Sequence, residues 1–183
     1  MKKLLIIAAP LVLLASPALA QSATGTVAID GSVAGRCLFT TPSATISVGE
    51  MAVQGSGSTA GKLNAAVVNG QTRTLVGWCN GSASTMAVET LALVNTGFAS
   101  AAPTGFDKRV DYTATAVANA VSANDTSLSA GAGAASTVGL FTGDVVVTLS
   151  AASSPTSGLL IAGGYQGAVL VTLSPAIALP PPT

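Results

Sequence analysis

The chain has 183 residues, no histidine, seven basic and seven acidic side chains, and an apolar content of 49%. That balance excludes an electrostatic footprint for nucleic acid or an anionic membrane, and the missing imidazole excludes Ser-His-Asp and Cys-His catalysis. Abundant Ala, Gly, Ser, Thr and Val with only 8% charged residues suit a β-rich extracellular domain. A disordered chain would need low hydrophobicity and high charge.

Residues 1–20 read as a secretory signal. Lys2 and Lys3 supply the basic start, residues 4–14 an apolar run broken by Pro10, and Ala18-Leu19-Ala20 a small-x-small cleavage site. The run is too short for a membrane span. Cleavage leaves residues 21–183, enough for one domain with a core. Its cations are Arg36, Lys62, Arg73, Lys108 and Arg109, set against the seven acids.

The segment Gly25-Thr26-Val27-Ala28-Ile29-Asp30-Gly31-Ser32-Val33 alternates apolar with small or polar residues. As a strand it puts Val27, Ile29, Gly31 and Val33 on one face. A half-apolar strand ahead of the domain needs a groove to fill, its own or a neighbour's. Further strands are expected at 35–40, 44–48, 63–68, 72–79, 84–94, 109–118, 143–150 and 165–174, from short Val/Thr/Leu/Ile runs bounded by Gly, Ser, Asn and Pro. Residues 54–61 and 127–137 read as surface loops, and Pro180-Pro181-Pro182 cannot join a ladder, so the last strand should end near Ser174. There is no convincing repeat and almost no helical periodicity. The expectation is a single all-β domain.

Cys37 and Cys79 are the two cysteines, and in an oxidising compartment such a pair is most simply a disulfide. Two cysteines without histidine do not close a zinc site. No metal, cofactor or catalytic set is read from the chain. The remaining acid–base chemistry would be a carboxylate pair from Glu50, Glu89, Asp107, Asp111, Asp125 or Asp144. These acids are scattered over strand ends and read as solvated turn residues, so the chain reads as non-enzymatic. Asn80-Gly81-Ser82 and Asn124-Asp125-Thr126 are glycosylation sequons that read equally well as turns. The glycines of residues 131–136 lack the strand–helix setting of a phosphate loop. Trp78, beside Cys79, is expected to pack in the core, and Tyr165 to pack at the start of the last strand with its hydroxyl on a backbone partner.

Four segments carry a resemblance, in chain order: residues 25–33; Cys37 shortly after, with Cys79 closing the loop; Ala44-Thr45-Ile46-Ser47-Val48-Gly49-Glu50-Met51; and Ala162-Gly163-Gly164-Tyr165-Gln166-Gly167-Ala168-Val169-Leu170-Val171-Thr172-Leu173. Together they resemble the pilin subunits of chaperone–usher fimbriae, including the related spore-coat-U-like secreted domains. Residues 95–140 match only in being β-like and loop-rich. The chain also runs on through residues 175–183, whereas type-1 pilins commonly end at the last strand with a near-terminal tyrosine.

The resemblance implies an incomplete immunoglobulin-like β-sandwich at 34–183, with residues 21–33 as an N-terminal donor strand. In the family a groove stays open beside the final strand. A periplasmic chaperone lends a strand first, and at the outer-membrane usher the next subunit's extension replaces it. Carried over, Val27, Ile29 and Val33 would be the knobs and Gly31 the tight position. Tyr165, Val169, Val171 and Leu173 would help line the acceptor groove. The partners implied are other pilin subunits in a homo- or hetero-polymer, the chaperone and the usher. The location implied is the periplasm in transit and then the cell surface. The alternative is a self-contained secreted coat or binding module, with residues 24–33 completing their own sheet.

Overall fold

Threonine alternating with small or branched apolar residues gives this chain strands with one wet and one dry face. The computed structural model describes residues 22–176. The strands in chain order are β1 (Cys37–Thr41), β2 (Thr72–Cys79), β3 (Thr85–Asn95), β4 (Phe106–Asp107), β5 (Arg109–Ala118), β6 (Val121–Thr126), β7 (Ser136–Thr137), β8 (Phe141–Ser153), β9 (Leu159–Leu160) and β10 (Tyr165–Ser174), with one 3₁₀ turn at Ala65–Val67. The spans expected at 72–79, 109–118 and 165–174 are β2, β5 and β10.

The strands run in the order β1-β2-β8-β5-β3-β10, with β6 on β5 and β7 on β3, while β4 and β9 form a small parallel pair. β5 turns the corner between two layers. Its first residues, Arg109 and Val110, pair with Val94 and Leu93 of β3, whereas Thr115 and Ala116 pair with Thr148 and Val147 of β8. The result is an all-β, sandwich-like sheet. The layer of β3 and β10 offers Met86 and Val88, and the layer of β5 and β8 offers Ala114, Ala116, Val145, Val147 and Leu149. Met86 and Val88 are completely buried, which stabilises the fold by about 1.5–3 kcal/mol each. The small alanines of β5 leave room for these larger side chains opposite.

Cys37 and Cys79 are bonded across the β1–β2 ladder and close a loop of sequence separation 42. Constraining a loop of that length in the unfolded chain contributes about 4 kcal/mol in the chain-entropy account.

Several sequence expectations are corrected. Residues 44–48 form no strand: among the described residues none pairs with them in a ladder. Residues 63–68 hold the 3₁₀ turn Ala65–Val67 and a single bridge from Leu63 to Ala52. β6 was not anticipated. It follows β5 through Asn119 (φ 49°) and Ala120 (φ 60°), with Ala118 paired to Val121. Positive φ at both central residues is the type I′ hairpin geometry, usually flagged by Asn-Gly, and Ala at the second position hides the signal. Asn119 pins this turn by donating to the Val138 carbonyl at 2.8 Å. The loop at 127–137 is partly structured: Gly133 N–H donates to the Val88 carbonyl at 2.9 Å, and its last residues are β7.

The chain divides into two units, Met1–Val33 and Ala34–Thr183. In the first, residues 22–33 carry no strand in this isolated chain, so the strand expected at 24–33 is not formed. Val27, Ile29 and Val33 are 86%, 92% and 85% exposed. The signal expected at 1–20 and the prolines at 180–182 lie outside the described residues.

Candidate functional site

β10 is an edge strand. It pairs with β3 from Tyr165↔Asn95 to Ser174↔Thr85, and among the described residues no strand pairs with its other edge. Alternation along β10 turns Val169, Val171 and Leu173 toward the core, half-buried, and leaves Leu170 and Thr172 exposed. Beside that edge the two layers do not close. A groove of 1150 Å³ opens there. Protein interiors rarely keep voids larger than a water molecule, and this one exceeds the usual range for a small-molecule pocket.

One wall of the groove is β10 itself, including Tyr165, Val169 and Val171. The facing wall is residues 42–53, where Ile46 and Val48 turn in and Met51 is buried. This wall is held by contacts at its ends and middle. Arg73 Nε donates to the Thr45 carbonyl at 2.6 Å, the Ala52 N–H donates to the Glu50 carboxylate at 2.8 Å, and the Asn64 N–H donates to the Met51 carbonyl at 2.7 Å. The floor is Leu75 of β2, Leu93 of β3, Tyr112 of β5, and Val147 and Leu149 of β8. Apart from Arg73 and Glu50 near the rim, the lining carries no charged side chain.

Two residues shape the groove's deeper part. β3 carries an extra residue against β10 between the pairs Val94↔Gln166 and Leu91↔Ala168, so the two strands approach closely there. A Cβ on Gly167 would sit 2.8 Å from the carbonyl oxygens of both Leu91 and Ala92, so only glycine fits. Beneath it, the Tyr112 hydroxyl donates to the Leu91 carbonyl at 2.8 Å and lies 3.2 Å from the Ala168 carbonyl. Burial pushes this phenol up to about 12, which keeps it a proton donor throughout the physiological range.

Of the acceptor residues expected from sequence, Tyr165, Val169 and Val171 line the groove. Leu173 does not; it lies over Gly77, where an added Cβ would come within 3.3 Å of its Cδ1. Leu173 thus lies outside the lining, over Gly77 beside Phe39 of β1. The Tyr165 hydroxyl donates to the Ile161 carbonyl at 2.9 Å, a backbone partner as expected. Sequence reasoning missed the floor residues Leu75, Tyr112 and Leu149, whose inward orientation shows in the alternation but whose lack of a covering strand does not.

The acids on the candidate list serve as scaffold acceptors where they are buried. Asp107 takes the Gly158 N–H at 2.8 Å and the Thr156 hydroxyl at 2.9 Å. Burial raises its proton affinity, but these donors outweigh that and hold the carboxyl below its ordinary value. Asp111 takes the Arg109 guanidinium at 2.6 Å and the Ser127 hydroxyl at 2.8 Å, and Asp125 takes the Thr90 N–H at 2.8 Å. Among the described residues no three His, Cys, Asp or Glu side chains are grouped as metal ligands. Trp78 departs from expectation: with Cys79 facing in, strand alternation turns Trp78 outward, half-buried beside the exposed Leu38. Asn124 is likewise no turn residue, being part of β6.

Comparison with protein-family models, curated proteins and solved structures returns no match.

Proposed function

We propose that this chain is a structural subunit of a surface filament, polymerising by strand donation: residues 21–33 of one copy fill the groove beside β10 of the next. The observation that carries this reading is the open apolar groove against an unpaired strand edge. Such an edge is an aggregation hazard unless another chain covers it. Strand addition satisfies it, with backbone bonds for affinity and side-chain pockets for register.

The dimensions agree. The donor knobs run from Val27 to Val33, six residue steps or about 20 Å at strand rise. The groove's β10 wall runs from residue 165 to 171, also six steps. Burying Val27, Ile29 and Val33, which stand exposed in the isolated chain, is worth roughly 5–9 kcal/mol before the cost of ordering the segment. A slip of one residue would instead bury Ala28, Asp30 and Ser32, placing a carboxylate against Leu75, Leu93 and Val169. On this reading the chain is exported, a periplasmic chaperone covers the groove in transit, and an outer-membrane usher exchanges that strand for the next subunit's.

The test is a gel of material sheared from the cell surface, unboiled against boiled, for the intact protein and a variant lacking residues 21–33. Ladders that collapse on boiling and vanish in the variant are the expected result. A single monomer band in both, with normal secretion and solubility, would sink the proposal and leave the self-contained module.

A further inference from the structure

A second concavity, of 750 Å³, is separate from the groove and shares no lining residue with it. Its size is within the usual range for small-molecule sites. Two loops, residues 102–105 and 155–158, line it, and the β4–β9 pair joins them. The join is tight. The Leu159 N–H donates to the Gly105 carbonyl at 2.9 Å, and a Cβ on Gly158 would sit 2.6 Å from that same oxygen. The Asp107 carboxylate fastens the second loop, taking the Thr156 hydroxyl at 2.9 Å and the Gly158 N–H at 2.8 Å. The concavity is thus built before any ligand arrives, which lowers the ordering cost of binding.

Its charge is one-sided. Lys62, Lys108 and Arg109, three of the chain's seven cations, line it against one carboxylate, Asp107. Arg109 is paired with Asp111, and Asp107 is engaged by the loop. Lys108 donates to the Ser100 carbonyl at 2.7 Å, which orders the ammonium without neutralising it. Among the described residues no group hydrogen-bonds the Lys62 ammonium, nor the Thr104 and Ser157 hydroxyls. Ser157 also stands at φ 55°. Left-handed backbone at a residue other than glycine is costly and gathers at ligand sites. Glycine would relax the loop there and would supply no hydroxyl.

These donors discriminate among anions. A phosphate is best held by clustered backbone N–H groups or a free guanidinium. Here the Thr156 and Gly158 N–H groups serve Asp107, and Arg109 serves Asp111. What remains is an ammonium for a carboxylate, two hydroxyls for other hydroxyls, and the Phe106 ring, 40% exposed, for an apolar face. We propose that this concavity binds a carboxylated sugar, a uronic acid either free or within a polysaccharide. Lys62 meets the carboxylate, and Thr104 and Ser157 meet ring hydroxyls. Nothing in it depends on strand donation, since the site lies wholly within residues 62–159.

The test titrates the purified protein with sodium D-galacturonate, D-galactose and inorganic phosphate by calorimetry at low salt. Galacturonate should bind saturably, about tenfold more tightly than galactose, and more weakly as sodium chloride is added. Lys62→Gln should lower galacturonate affinity about tenfold, to the level of galactose. Ser157→Gly should weaken binding too while raising the urea midpoint, since it removes both a hydroxyl and the left-handed strain. A merely structural serine would not separate those two readouts. Equal affinity for galacturonate and galactose, or for galacturonate and phosphate, overturns the proposal. Unchanged affinity in either variant does the same, and Ser157→Gly decides if Lys62→Gln fails to accumulate. Given binding, retention on a polygalacturonate column, competed by the monomer, assigns the polysaccharide. Binding of the monomer without retention assigns the free sugar acid.

Discussion

Tyr112 shows how one side chain can serve both the fold and the groove. Its hydroxyl donates beneath the irregular β3–β10 pairing, and its ring forms part of the groove floor. Because burial pushes the folded phenol up to about 12 from its ordinary value near 10, the neutral form is favoured by folding. The associated stability is complete below pH 10 and is lost as pH rises from there through the folded value. Urea unfolding of the wild type between pH 9 and pH 12 should therefore show a falling midpoint, and Tyr112→Phe should flatten that fall. Ala120 is a second informative residue. Held at φ 60°, it carries the left-handed strain that glycine avoids. Ala120→Gly is expected to stabilise the domain by about 1 kcal/mol, read as a higher urea midpoint with an unchanged slope. Gly167→Ala should do the opposite, by about 1–3 kcal/mol, because the new methyl meets two backbone carbonyls that cannot move without parting β3 from β10.

At the scale of elements, the groove depends on what the last strand lacks on its outer side. β10 was legible in the sequence to its ends, because period-2 alternation of Val169, Val171 and Leu173 is a local property. Residues 44–48 show the same alternation, with Ile46 and Val48 turned in, yet they pair with no strand. Alternation reports which face is dry; it does not report whether a neighbour is there to bond. Trp78 went astray for a related reason. Adjacency to a buried Cys79 suggested burial, but neighbours in a strand face opposite ways. β6 was lost to an alanine where the turn chemistry calls for glycine. The groove was expected only from the resemblance, and its floor left no trace in the sequence, since it is formed where Leu75, Tyr112 and Leu149 from three strands come together opposite Val169. A variant that puts a charge on its apolar wall tests its role. Val169→Asp puts a carboxylate on a half-buried wall and is expected to abolish boiling-sensitive ladders while the purified domain keeps its β-sheet circular dichroism.

For the molecule as a whole, the disulfide decides where a pull would be felt. Tension applied ahead of Ala34 arrives at Cys37, the first residue of β1, and crosses by a covalent bond to Cys79 at the end of β2. The residues between them, including β1 and the groove wall at 42–53, are shielded from the load. Pulled by its two termini in a single-molecule instrument, the oxidised chain should withhold the length of that loop, and reduction should add about 150 Å of contour for its separation of 42 residues. In a filament joined by strand donation, load would pass between subunits through the groove walls that grip each donated strand, and within each subunit the disulfide would carry it from the donor segment straight into β2.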